Sequence, residues 1–104
     1  MLIVTTENIP DRQIVEAKGI VQGSTVRAKH LGRDIAASLK NIVGGELTGY
    51  TELLNESRRE AVDRMVQQAR QLGANAIICV RFSTSAITQQ ASEVLCYGTA
   101  VFVQ

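Results

Sequence analysis

The chain has 104 residues, 45% of them apolar and 20% charged, with one proline; this is the composition of one folded domain and excludes a disordered or fibrous chain. Eleven Lys and Arg against ten Asp and Glu leave a formal charge of +1, so no broad field draws nucleic acid or an anionic membrane to it. Two Tyr, two Phe and no Trp offer little stacking surface for bases or sugars, and two Cys do not make a disulfide framework.

Leu2 to Thr5 is apolar and β-branched and is closed by Asn8, Pro10 and Asp11, which predicts a short edge strand and a turn. No basic segment leads into an apolar core, and no run is long enough to span a bilayer; the expectation is a cytoplasmic protein with no membrane partner. Gln13 to Arg27 alternates with period two and predicts a long second strand. Gly19 and Gly23 weaken its interior, so they mark a bulge or a place where another backbone comes close. His30 to Val43 carries Leu31, Ile35, Leu39 and Ile42 on one face and predicts a first helix ended by Gly44 and Gly45.

Leu47, Tyr50, Leu54, Ala61, Met65, Ala69 and Leu72, joined by Val62 and Val66, predict the main amphipathic helix, with Gly73 at its C-terminus and Arg70 in its last turn. After Asn75 the period returns to two. Ile78, Val80 and Phe82 then share one face of a third strand, and Glu93 to Val103 forms a fourth. With an even number of residues in the turn between them, that face also takes Leu95, Tyr97, Val101 and Val103 and packs under the long helix. The economical architecture is one two-layer α+β domain over residues 1–104, a mainly antiparallel sheet packed against helices.

On this pattern the opposite face carries Ile77, Cys79, Val94, Cys96, Ala100 and Phe102, too apolar for a solvated surface. Copies of the same chain are the expected cover, and the first helix folding back over that face is the alternative.

Gly32-Arg33-Asp34-Ile35, Gly44-Gly45-Glu46-Leu47, Tyr50-Thr51, Arg58, Ala61, Arg64-Met65, Gly73-Ala74-Asn75-Ala76, Val80-Arg81-Phe82 and Tyr97-Gly98-Thr99-Ala100-Val101 together resemble the YbjQ-like proteins of bacteria, a family labelled as heavy-metal-binding domains. The resemblance implies a dodecin-like α+β fold assembled as a homopentamer around a central β-barrel. It implies no particular reaction.

Five groups of residues are candidates for chemistry. Cys79 and Cys96 fall on one sheet face under the even-turn assumption, and soft thiolates recurring around a ring would suit Zn or another soft ion; the plainer reading is that both are small core residues. Arg58 lies close to the apolar stripe, where an arginine wants a carboxylate, and Glu46 or Asp34 could supply one across a subunit boundary. Glu52, Glu56, Glu60 and Asp63 form an acidic ridge that Arg59 and Arg64 can offset by pairing one helical turn apart. His30 stands beside Lys29 and Arg33 and has no nucleophile placed for it. Tyr50 is a ligand or interface candidate, although core packing with a satisfied hydroxyl accounts for both Tyr50 and Tyr97.

These residues lead to a non-enzymatic homo-oligomer that takes a small ligand or metal ion between subunits. The alternatives are a structural or adaptor ring with no ion, an enzyme using Arg58, Glu46 or Tyr50 at a subunit cleft, and a flavin binder by fold analogy, which the shortage of aromatic residues disfavours.

Overall fold

The computed structural model describes residues 1–28, 48–88 and 91–104. The helix expected over His30 to Val43 lies outside the described residues, as do Asp34 and Glu46. The described elements are β1 (Leu2–Ile3), β2 (Ile14–Ala28), α1 (Thr48–Gln71), β3 (Ala76–Thr88) and β4 (Ala91–Val103). They form one mixed four-stranded sheet in the order β1-β3-β4-β2, in which β1 runs parallel to β3 and the other neighbours are antiparallel. The expected α+β class and edge position of the first strand are both present.

α1 has 24 residues and few β-branched positions, so its backbone pays little side-chain entropy to stay helical. It stops where Gly73 turns left-handed at φ +80°. There Ala74 N–H donates to the Ala69 carbonyl and Gly73 N–H to the Arg70 carbonyl, both at 3.0 Å, which satisfies carbonyls that the helix end would leave orphaned. Its buried stripe is Ser57, Ala61, Met65 and Ala69, one residue per turn. Leu54, Val62 and Val66 are half-buried at the margins, whereas the expected Leu72 is exposed.

The helix lies on the face of the sheet that carries Val21, Ile77, Val80, Val94, Cys96 and Ala100. That is the face expected to need a partner, and the expected helix-covered set of Leu95, Tyr97, Val101 and Val103 lies on the other side. Two features set this orientation. A Cβ added at Gly23 would overlap the Ala61 carbonyl oxygen and stand 2.5 Å from the Met65 backbone nitrogen, so helix and strand backbones meet where only glycine fits. The second is a bulge. Cys79 takes φ 55°, and the β3–β4 register slips between Ile78 and Arg81, so that Cys79 and Val80 together stand opposite Gly98. Ile77 and Val80 therefore face the helix together, and Ile78 faces away. Gly98 makes room for the bulge, since a Cβ there would come within 2.9 Å of both Ile77 Cγ2 and the Ile78 carbonyl oxygen.

Among the described residues, the far side of the sheet is covered at one end only. Ile9, Val4 and Ile14, from the segments around the Pro10 turn, pack on Ala76, Ile78, Val101 and Val103, with Cys79 at the margin. Asn75 closes that end by using its side chain as a strand would, donating to the Val103 carbonyl at 2.8 Å and accepting from the Val103 N–H at 2.7 Å. β2 carries a second irregularity between Ala17 and Gly19, where Gly19 takes φ +122° with open space around it. The two glycines of this strand thus divide the two expected roles: Gly19 belongs to a bulge and Gly23 to a close approach.

Candidate functional site

The two cysteines belong to different clusters. Cys96 is wholly buried beneath α1, where its Sγ lies 3.6 Å from Met65 Sδ in a thiol-to-thioether hydrogen bond. Burial pushes this thiol above its ordinary range, because a thiolate there would lose its water without gaining a cation. Cys79 is half-buried at the bulge, on the margin of the cluster formed with Ile9, Ala76, Ile78, Val101 and Val103. The shared sheet face expected for the two thiols fails because the bulge interrupts the alternation of β3. Within one chain the pair does not fit a common soft ion: one thiol is neutral and engaged with Met65, and the other packs in the cluster on the opposite side. Among the described residues no group of three or more His, Cys, Asp and Glu is placed to hold a metal.

Arg58 is exposed and donates through Nη1 to Asn55 Oδ1 at 3.1 Å, a contact within its own helix. The buried position expected for it belongs to its neighbour Ser57, whose hydroxyl is satisfied by the Leu53 carbonyl at 2.9 Å. Sequence periodicity weighs apolar residues and so passes over a serine that bonds back into its own helix. Glu46 and Asp34, the expected partners of Arg58, fall outside the described residues, as does the side chain of Tyr50. Glu52, Glu56 and Asp63 are exposed, and Glu60 is half-buried. Tyr97, expected in the core, is 40% exposed on the far face. It is the register partner of Arg81 on β3 and of Gln22 on β2, making a polar and aromatic row across three strands.

The two outer edges of the sheet differ. At β2, the Gln22 N–H donates to Gln68 Oε1 at 2.9 Å, and the Ser24 carbonyl accepts from Arg64 Nη1, so side chains of α1 occupy the outward backbone groups. At β3, the N-terminal segment covers the edge as far as Val80, with Val4 N–H to the Ile77 carbonyl at 2.9 Å, Cys79 N–H to the Thr6 carbonyl at 3.1 Å and Val80 N–H to the Val4 carbonyl at 3.1 Å. Arg81 Nη1 then closes over the Thr5 carbonyl at 2.9 Å. Beyond it, among the described residues, no strand lies alongside β3 on that side, and residues 81–87 are exposed. Sequence pattern marked Arg64 as an ion-pair partner within its own helix and did not mark Gln68; the two sit one turn apart on a flank of the helix that reads as ordinary solvated surface.

Among the described residues, the fold and its surfaces define a small α+β domain, with one helix laid on one face of a mixed sheet that has one edge guarded and one bare. Residues 1–104 match the YbjQ family, described as "Putative heavy-metal-binding", and the chain belongs to that family. It is similar to a UPF0145 protein of Hahella chejuensis, 61% identical over 104 residues and covering 100% of both chains. It is also similar to a UPF0145 protein of Archaeoglobus fulgidus, 54% identical over 101 residues, 97% of this chain and 94% of that one. A crystal structure of a protein of unknown function of the DUF74 family from Pediococcus pentosaceus shares the fold with a TM-score of 0.67 at 17% identity, covering 100% of this chain and 98% of that one. Among the described residues, no helix is long and apolar enough to cross a membrane.

Proposed function

We propose that the chain is a non-enzymatic protein that assembles with copies of itself, a homopentamer by its family likeness, and holds a small ligand or metal ion between subunits. The observation that carries the reading is the amount of large apolar side chain left bare on the sheet: Ile20 at 81% exposure, with Val15, Val26, Phe82, Ile87 and Tyr97 also exposed. Large apolar side chains exposed in this number are uncommon on a solvated surface and common on a contact surface. The expected apolar excess is therefore present, but at different residues, because α1 already shelters Val94, Cys96 and Ala100.

The ligand half of the reading is supported by the family description and by soft sulfur as a donor type, with thiols from different copies taking the place of a pair within one chain. Cys79 is the candidate donor, since Cys96 is engaged with Met65. Equilibrium dialysis against Zn²⁺ and against Cu(I), with elemental analysis, tests it. Metal retained by wild type and Cys96→Ser but lost from Cys79→Ser is the expected result, and equal metal in all three would overturn thiolate ligation. Sedimentation of the untreated protein at micromolar concentration tests the assembly half, for which a single-copy species is the contrary result.

A further inference from the structure

We infer that residues 5–12 form a latch over Cys79: closed, it holds that thiol against the apolar cluster at the end of the sheet, and open, it releases the thiol to a soft ion. The inference rests on the ligand half of the reading above for the ion, and the opening of the latch is measured without any metal. The segment is pinned at both ends. Val4 N–H donates to the Ile77 carbonyl at 2.9 Å, and the Gln13 and Gln104 N–H groups each donate to the other residue's carbonyl, at 2.9 and 3.0 Å. Between these pins every residue is exposed except Ile9, which is 6% exposed and packs on Ala76, Ile78, Val101 and Val103. The bonds from Arg12 N–H to the Ile9 carbonyl and from the Thr6 hydroxyl to the Asn8 carbonyl lie within the segment and travel with it. One buried side chain and a few edge hydrogen bonds mark a unit that opens at far lower cost than the whole fold.

What the segment grips is the bulge. Cys79 N–H donates to the Thr6 carbonyl at 3.1 Å and Arg81 Nη1 to the Thr5 carbonyl at 2.9 Å. Cys79 also packs at the margin of the cluster that Ile9 fills. As part of the bulge it is passed over in the β3–β4 register, and φ 55° is a conformation that a residue with a Cβ keeps only when its surroundings enforce it. Opening takes away the Thr6 carbonyl and Ile9, two of the groups that enforce it. Cys96 is the contrast, since it lies wholly buried beneath α1 and is uncovered only when the helix lifts. The two thiols therefore become accessible by different routes, one local and one global.

The test is the rate at which dithiobis(nitrobenzoate) labels each thiol of the folded protein, with Cys96→Ser leaving Cys79, Cys79→Ser leaving Cys96, and far-UV circular dichroism to report folding. The attacking thiolate displaces one thionitrobenzoate from the reagent's disulfide, and its absorbance is read. Cys79 is expected to label well ahead of Cys96. Urea below the unfolding transition should speed Cys96 steeply and leave Cys79 nearly unmoved, and Ile9→Ala should speed Cys79 about tenfold or more. A common rate for both thiols, or a Cys79 rate that climbs with urea as that of Cys96 does, overturns the latch, because the thiol then waits for the whole fold to open. A Cys79 rate that Ile9→Ala does not change overturns it as well, since the thiol is then reached with the segment in place. If Ile9→Ala does not fold, Arg81→Ala, which frees the Thr5 carbonyl from an exposed side chain, decides by the same criterion, with about threefold or more expected. Labelling as expected with no metal retained in dialysis would overturn the ion and leave the latch standing.

Discussion

Under α1 and along the free part of β3, one sheet meets two different fates. In the first region Gly23 and Ala61 bring backbone against backbone, Met65 fills the space over Cys96, and Val21, Met65 and Ile77 are wholly buried. In the second, the same strand β4 is paired on both sides, yet Phe82 and Ile87 on its neighbour stand half in water. Apolar content alone does not separate the two regions. Small residues do: where Gly23, Gly98 and Ala100 lower the surface, a helix can settle, and where Phe82, Thr84 and Tyr97 raise it, the described part of the chain leaves it open. The covered region supplies the stability of the single copy, and the open one is the surface available for association.

The sharpest way to break this contrast is at its point of closest approach. Gly23→Val forces α1 off the sheet and is expected to cost about 3 kcal/mol or more, read as a shift of the urea unfolding midpoint. A loss below about 1 kcal/mol would mean the helix does not depend on that contact. Met65→Ala, which empties the layer over Cys96, is expected to cost about 3 kcal/mol in the same measurement. Thr25→Val keeps the shape but removes the hydrogen bond of 3.0 Å from Thr25 Oγ1 to the buried Ser57 carbonyl, for about 1 kcal/mol.

A pH series sharpens the contrast between the two thiols. The folded state holds the Cys96 proton more tightly than the unfolded chain does, so above the ordinary thiol pKa of about 8.5 the unfolded state binds fewer protons. The stabilising contribution is complete below that value and declines as pH rises through the raised folded pKa. Wild type should therefore lose more stability between pH 8 and pH 10 than Cys96→Ala does. Parallel losses would show that burial does not hold the proton. The smallest effect is expected from Arg58→Ala, within about 0.5 kcal/mol, because Arg58 is exposed and its hydrogen bond goes to Asn55, another exposed residue of the same helix.

Much of the fold was legible in the sequence because it depends on period and punctuation. The 3.6-residue stripe through Ala61, Met65 and Ala69, the Gly73 stop and the alternation in β2 all follow local rules, and the two glycines of β2 announced one bulge, at Gly19, and one close approach, at Gly23, but not the register shift between Ile14 and Glu16. The side of the sheet that meets the helix was not legible. β4 is apolar on both faces, so its pattern cannot choose between them, and the deciding slip lies at Cys79, a residue type seldom found at a left-handed bulge position. The pairing of the two thiols failed with it. Arg58 was misplaced because the turn that packs contains Ser57, whose polarity is satisfied within the helix. The guarded edge was invisible for a related reason: Gln68 and Arg64 have the composition of solvent-facing residues, and only the third dimension puts them over a strand.

The bulge at Cys79 also has a consequence for anyone mapping tolerance to substitution along β3. Below it the odd-numbered Ile77 is the position that a polar residue should ruin, and above it the even-numbered Val80 takes over, so a scan of every position should show its rhythm skip one beat and resume. Deleting the one extra residue, Cys79, would restore strict alternation with Ile77 and Val80 still on the helix side, whereas regular pairing without a deletion would turn one half inside out relative to the other.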